Sequence, residues 1–489
     1  MVPPRNNFYT KWRAENQARL FLREPDEPNP PERLVQSIWH HQRILRDKLK
    51  TTDGRTVRVL HPGFWNHESG PDFRSAVIQF EGEAPKSGDV EIDLVPAGWR
   101  GHGHDRNVAF KNVILHVVWN GAQSNAALNT LVIEPFLDAP LTEIQSAIGG
   151  ETGRKWPGEL LGKCCAPLGE MPTERIVDLL QQAAWIRLQR KAGELEARAR
   201  QAGWEQALWE GLFRALGYKQ NVWPMQRIAE LLPRTVENEN FGARGTHPSE
   251  ATLTLQARFL GSGGLLPDDV AKDRASGPYL RSLWDIWWRE REKFSDVALP
   301  PTLWKFHGLR PANQPQRRLA LAAHWVTQPK FLQRLEQWFV GESEKSEVDS
   351  LLECLQPDCD EFWSWHWSLR SPRLTKPQPL LGSSRVTDLA INAILPWFWI
   401  RAHAGKNQKL EALAEKRYFT WPAAQDNSVL KLARQRLLGG RNLKCLTTAA
   451  AQQGLLQIVR DFCEHTDAVC TDCLFPDLVR SWNAQSKPA

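Results

Sequence analysis

The apolar periodicity of this chain changes once, near Leu160. Before that point short runs alternate with period two, and beyond it apolar residues recur at helical spacing. Any fold must therefore join a sheet built by the first third to a large helical remainder. In the first part, residues 56–60, 73–81, 89–95 and 112–119 read as strands, with a turn containing Gly82 and Gly88 between the second and third. An amphipathic helix over 32–49, carrying Leu34, Val35, Ile38, Ile44 and Leu45, precedes them after Pro25, Pro28, Pro30 and Pro31. In the second part, Ile176, Leu179, Leu180, Ala183 and Ile186 mark a helix from near Thr173, whose opposite side carries Arg187, Arg190, Lys191 and Arg198 and reads as a solvated face. Trp204, Leu208, Leu212 and Leu216 mark another, closed by Gly217. Further helices are expected over 278–294, 317–325, 332–340 and 389–402, with no repeat of fixed period.

The expected organisation is an extended N-terminal arm over 1–30, an α/β (α+β) domain with a mixed sheet flanked by helices over 31–145, and a mainly helical region over 160–489 with a subdivision near 300. The Gly-rich stretch 148–158 and the polar stretch 237–247 read as linkers. The start, MVPPRNNFYTKW, has no apolar run of the kind that targets or spans a membrane, so a cytoplasmic protein without membrane contact is expected. A net charge of +6 permits nucleic-acid binding without arguing for it. Tryptophan is the compositional outlier, with 23 residues against 4 tyrosines. At Trp284, Trp287 and Trp288 the indoles fall at helical spacing, which favours core packing over base stacking.

Chemistry concentrates in GPDFRSAVIQFEGEAPKSGDVEID, residues 70–93. From 88 to 95 the pattern alternates strictly, with Asp89, Glu91 and Asp93 on one face and Val90, Ile92 and Leu94 on the other. Carboxylates about 7 Å apart along a strand repel one another, and a divalent cation with a preference for oxygen offsets that repulsion. A solvated sheet face produces the same alternation at no functional cost.

The order helix, strand, strand, strand, short connection, strand resembles the restriction-endonuclease-like core of the PD-(D/E)XK nuclease superfamily. There a Pro-Asp opens the second strand and an acid-x-lysine sits on the third. Pro71-Asp72 and Glu91-x-Asp93 match that placement except for the lysine. The resemblance implies Mg²⁺ or Mn²⁺ at Asp72 and Glu91, with Asp93 assisting, and a DNA or RNA substrate. Of Lys86, Arg100, Arg106 and Lys111, which lie close in sequence, Lys111 is the preferred substitute for the lysine. A wider set of motifs, GPDF, GDVEI, Trp99 followed by HGHD, VILHVVW, ALWEGLFRALGYKQN, RPANQPQRRLALAA and QGLLQIVRDFC, resembles a bacterial family catalogued as domain of unknown function 2851, over about 32–476. That family pattern commonly has VEIH where this chain has VEID, so Asp93 replaces a histidine.

Two further groups are candidates for metal or substrate. His102 and His104 form an H-x-H pair that, with His116, could make a three-histidine metal site; alternatively His102, His104 and Asp105 contact substrate beside the acids. His116, flanked by Leu115 and Val117, also suits a hydrogen-bonded core histidine. Near the C-terminus, Cys463, Cys470 and Cys473, with Cys445 upstream or His465 as fourth ligand, form a pattern suited to zinc or an iron–sulfur cluster. Cys164 and Cys165 are adjacent, which makes joint ligation of one ion awkward, and Cys354 and Cys359 read as buried thiols. The functional expectation is a nuclease-like phosphodiesterase, or a nucleic-acid-binding or scaffold protein that keeps the fold without turnover. Oligomeric state is left open.

Overall fold

The structure is a computed structural model that describes residues 8–20, 29–66, 70–121, 128–148, 162–218, 220–236, 248–267, 277–425, 428–439, 446–463, 470 and 473–484. It is a mixed α/β protein with a curled sheet and a mostly helical C-terminal region. The chain divides into two units. The first joins residues 1–201 to 395–489, and the second is the intervening 202–394. The expected linkers fall almost wholly at 149–161 and 237–247, outside the described residues.

In the first unit, helix α1 (Phe8–Leu20) occupies part of the segment expected to be an extended arm. Helix α2 (Glu32–His41) follows; it ends earlier than its apolar spacing suggests, because Gln42 turns left-handed at φ 51°. The sheet contains β1 (Val57–His61), β2 (Phe64–Trp65), β3 (Phe73–Phe80), β4 (Lys86–Asp93), β5 (Val113–Val118) and β6 (Thr130–Val132). Its order is β1-β3-β4-β5-β6, with β2 on β3. The β1–β3 and β3–β4 pairs are antiparallel, and β4–β5 and β5–β6 are parallel. At two and three residues, β2 and β6 are too short to write an alternation into the sequence.

One sheet face carries the core. Val90 and Ile92 of β4, with Leu115 and Val117 of β5, pack with Leu34, Val35, Ile38 and Trp39 of α2 and with Ile144 and Ile148 of α4 (Leu141–Ile148). Trp39 fixes α2 further by donating its indole N–H to the Pro62 carbonyl at 2.9 Å. The register from Val90↔Leu115 to Asp93↔Val118 puts His116 beside Glu91 on the opposite face. A shift between Asp89 and Val90 sets that register. Gly88 makes it sterically feasible, since a Cβ there would lie 2.4 Å from Ile114 Cγ2 and 2.7 Å from the Asn112 carbonyl oxygen.

Helix α3 (Gly98–Gly101) is a single turn after β4, and α5 (Cys165–Gly169) leads to α6 (Thr173–Ala202). The basic side of α6 is not the solvated face its composition suggests. Arg187 Nε and Lys191 Nζ both donate to Gln453 Oε1, at 2.6 and 3.2 Å, so the helix Ala449–Ile458 covers them. Arg190 pairs with Glu194, and Arg198 with Asp47.

The second unit is helical. Its helices include Trp204–Leu216, Gly277–Glu290, Pro315–Thr327 and Phe331–Val340, each close to its expected place. Buried Arg317 there gathers the carbonyls of Trp363, His366, Gln378 and Pro379. Trp287 is buried as expected, whereas Trp288 is exposed and stacks under Arg291. No helix among the described residues is long and apolar enough to cross a membrane.

Candidate metal and catalytic site

The face of β4 opposite the core gathers acids from three elements. Phe73 pairs with Val90, which brings Asp72, at the mouth of β3, alongside Glu91 and Ile92. Each acid then grips the other's strand. The Asp72 amide donates to Glu91 Oε2 at 3.0 Å, and the Ile92 amide donates to Asp72 Oδ2 at 3.0 Å. From α2, the Gln36 side-chain amide donates to both Asp72 Oδ1 (2.9 Å) and Glu32 Oε1 (3.1 Å), drawing a further carboxylate to the site. Sequence reading did not single out Glu32, because a helix acid that far upstream carries no pattern linking it to the strands.

Asp93 is the most enclosed of these acids. His116, fully buried, meets Asp93 Oδ2 through Nε2 at 2.8 Å, and His102 Nδ1 lies 3.0 Å from Asp93 Oδ1. The backbone of α3 rests on this carboxylate: a Cβ on Gly98 would lie 2.5 Å from Asp93 Oδ1. His104 Nδ1 is 3.4 Å from Glu91 Oε1 and, though buried, has no hydrogen-bond partner. The ring of His104 is clamped by stacking on Phe110, with centroids 4.0 Å apart, and by the edge contact of Trp99.

The sequence candidates separate. Asp72, Glu91 and Asp93 come together, and His102 and His104 join them although their segment is a short helix and turn rather than a strand. Asp89 leaves the row: its Oδ1 accepts from the Ser75 amide at 3.1 Å, where the β3 bulge turns Ser75 to a φ of 57°. Lys111 is exposed at the end of the short 3-10 turn Val108–Phe110, and among the described residues no ion pair joins it to an acid. Asp105 is paired loosely with Arg106 at 3.9 Å. Cys463, Cys470 and Cys473 lie elsewhere in the first unit, and Cys445 and His465 fall outside the described residues.

Burial dominates the electrostatics. It pushes Asp72 up to about 7, with Glu32 adding repulsion, and pushes Glu91 up to about 9, with Asp72 adding repulsion. Burial, then the charge of Asp93, raises Glu32 as well. His104 moves the other way, because burial disfavours its cation. A metal fits this donor set. One ligand atom each from Asp93, His102 and His104 lie within 4.8 Å of one another. His104 offers a buried imidazole nitrogen without a hydrogen-bond partner, and the adjoining Asp72 and Glu91 hold oxygens whose repulsion a cation relieves. Mixed imidazole and carboxylate ligands suit Mn²⁺ better than Mg²⁺, which favours an all-oxygen shell.

Fold and site together define an α/β protein with a buried acid–histidine cluster on one sheet face. The chain belongs to the family described as Protein of unknown function (DUF2851), which matches residues 32–425. No curated protein and no solved structure matches it.

Proposed function

We propose that this chain is a metal-dependent phosphodiesterase of the nuclease-like kind, acting on nucleic acid at the β3–β4 acids. The supporting observation is the lock between Asp72 and Glu91 beside the Asp93, His102 and His104 ligand atoms. Antiparallel neighbouring strands that present an acid at the start of one and acids within the next are the arrangement a restriction-endonuclease-like core requires. A divalent ion held there supplies Lewis-acid chemistry toward a phosphodiester.

The chain's own residues divide the remaining work. Asp93, His102 and His104 would hold the ion together with the adjoining Asp72 and Glu91, and Gln36 fixes the Asp72 carboxylate from α2. His116 anchors Asp93 from the buried side, so that the other carboxylate oxygen stays directed toward His102. His102, more than half exposed, is the ligand of this set that a substrate can reach at the mouth of the site.

A binding or scaffold role without turnover is favoured by one observation: the strand position of the lysine carries a buried acid, Asp93. One experiment separates the readings. Calorimetry should detect Mn²⁺ binding that disappears in Asp72→Asn and Glu91→Gln, and single- or double-stranded DNA or RNA should be cut only with Mn²⁺ or Mg²⁺ and not by either variant. Binding without cleavage of any substrate supports the scaffold. Cleavage that survives both substitutions moves the chemistry to another place.

A further inference from the structure

We propose that Cys164, Cys463, Cys470 and Cys473 form one four-thiolate site for a soft metal centre, zinc or an iron–sulfur cluster, with Cys164 as the fourth ligand. Three of these residues come from a short stretch near the C-terminus, and the fourth from about three hundred residues earlier. Buried Arg436, on the helix Ser428–Leu438, ties them together. Its guanidinium donates to Cys470 Sγ at 3.2 Å and hydrogen-bonds Cys463. Its backbone carbonyl accepts from the Gly162 amide at 2.9 Å, two residues before Cys164. The approach is close: a Cβ on Gly162 would lie 3.0 Å from that carbonyl oxygen and 3.1 Å from Cys164 Sγ. Helix α5, which begins just after Cys164, packs on Ser428–Leu438 and on Phe475–Ala484, the helix that follows Cys473.

The charges support the grouping. Cys164 feels the sulfurs of Cys463, Cys473 and Cys470, and Cys463 feels those of Cys473 and Cys470. Burial pushes Cys463 up to about 12, against the opposing charge and hydrogen bond of Arg436, pushes Cys473 up to about 11, and raises Cys164 as well. A bound soft cation offsets the repulsion among thiolates gathered in this way. Metal-bound thiolates accept hydrogen bonds at sulfur from neighbouring N–H groups, the contact Arg436 makes to Cys470.

The test uses the full chain carrying Asp72→Asn and Glu91→Gln, so that metal at the acid site does not count, purified without oxygen. Metal analysis should find stoichiometric zinc, or iron with acid-labile sulfide and visible absorption. Cys164→Ala should lose it and Cys445→Ala should keep it. If Cys164→Ala fails to fold, Cys164→His decides: it should keep the metal, with an altered cobalt charge-transfer spectrum after Co²⁺ exchange for a zinc site or an altered visible spectrum for a cluster. Metal-free protein, metal lost from Cys445→Ala but kept by Cys164→Ala, or an unchanged spectrum in Cys164→His overturns the proposal.

Discussion

Asp72 and Glu91 lie where burial and mutual repulsion favour their protonated forms, and that makes them a cost to the folded state at high pH. Both are raised above the ordinary carboxylate range, so the folded chain binds more protons than the unfolded chain from about pH 4 up to about 9. Metal-free stability should therefore fall as pH rises through that window. The slope should flatten in a chain carrying Asp72→Asn with Glu91→Gln. Mn²⁺ at a fixed concentration should flatten it, adding about 2.7 kcal/mol where it stands at a hundredfold its dissociation constant, with more effect at pH 9 than at pH 5. Denaturant melts across pH, with chelator or Mn²⁺, measure this; equal slopes in parent and double variant would remove the electrostatic account. The sequence made Glu91 and Asp93 legible because period two is written between neighbouring residues. It made Asp89 look equivalent, since nothing in the letters announces that a bulge turns the Ser75 amide onto it. Glu32 was invisible for a different reason: its approach depends on where α2 lies, which Gln36 records only once the fold exists.

Elements position the site through backbone that comes unusually close to side chains. Helix α3 reaches Asp93 only because residue 98 has no side chain. Gly98→Ala should displace the Asp93 carboxylate or push α3 away, costing about 1–3 kcal/mol as overpacking does. It should also weaken Mn²⁺ binding, by spoiling the Asp93, His102 and His104 arrangement, more than an alanine at solvent-facing Gly101 does. Calorimetric titration of the two variants side by side checks this, and equal affinities would show that α3 does not set the ligand geometry. The principal strands were legible within a few residues, because their apolar residues face one core; helices such as Phe8–Leu20, Pro248–Ser262 and Gln408–Thr420 were not. What periodicity cannot supply is the partner of a polar face. The arginines of α6 read as solvated, yet Gln453 covers two of its cations from a helix more than 250 residues later. The same limit hid Cys164, whose relation to the C-terminal cysteines exists only through packing around Arg436.

At the scale of the molecule, the first unit is made from the two ends of the chain, so its stability depends on contacts that close over more than 400 residues. Asp461 is the centre of that closure. Its carboxylate accepts from Tyr9 Oη at 2.8 Å, from Arg13 Nε at 3.1 Å and from Gln457 Nε2 at 3.0 Å, while its backbone carbonyl accepts from Asn16 at 2.7 Å. Next to it, Arg460 donates to the Ile148 carbonyl at the end of α4. Both Asp461 and Arg13 are nearly inaccessible, so water cannot replace a lost partner. Asp461→Asn keeps the shape but removes the charge and turns an NH₂ toward donors, leaving buried Arg13 without its carboxylate. Breaking one side of such a pair costs about 3–5 kcal/mol. Because the sheet belongs to the same unit, hydrogen exchange at the β3, β4 and β5 amides should speed up correspondingly, while amides of the helix Pro315–Thr327 in the second unit provide the internal reference. Unchanged exchange in the sheet would mean that the strands and α2 hold themselves together without the C-terminal helices, and that the closure at Asp461 only secures α1.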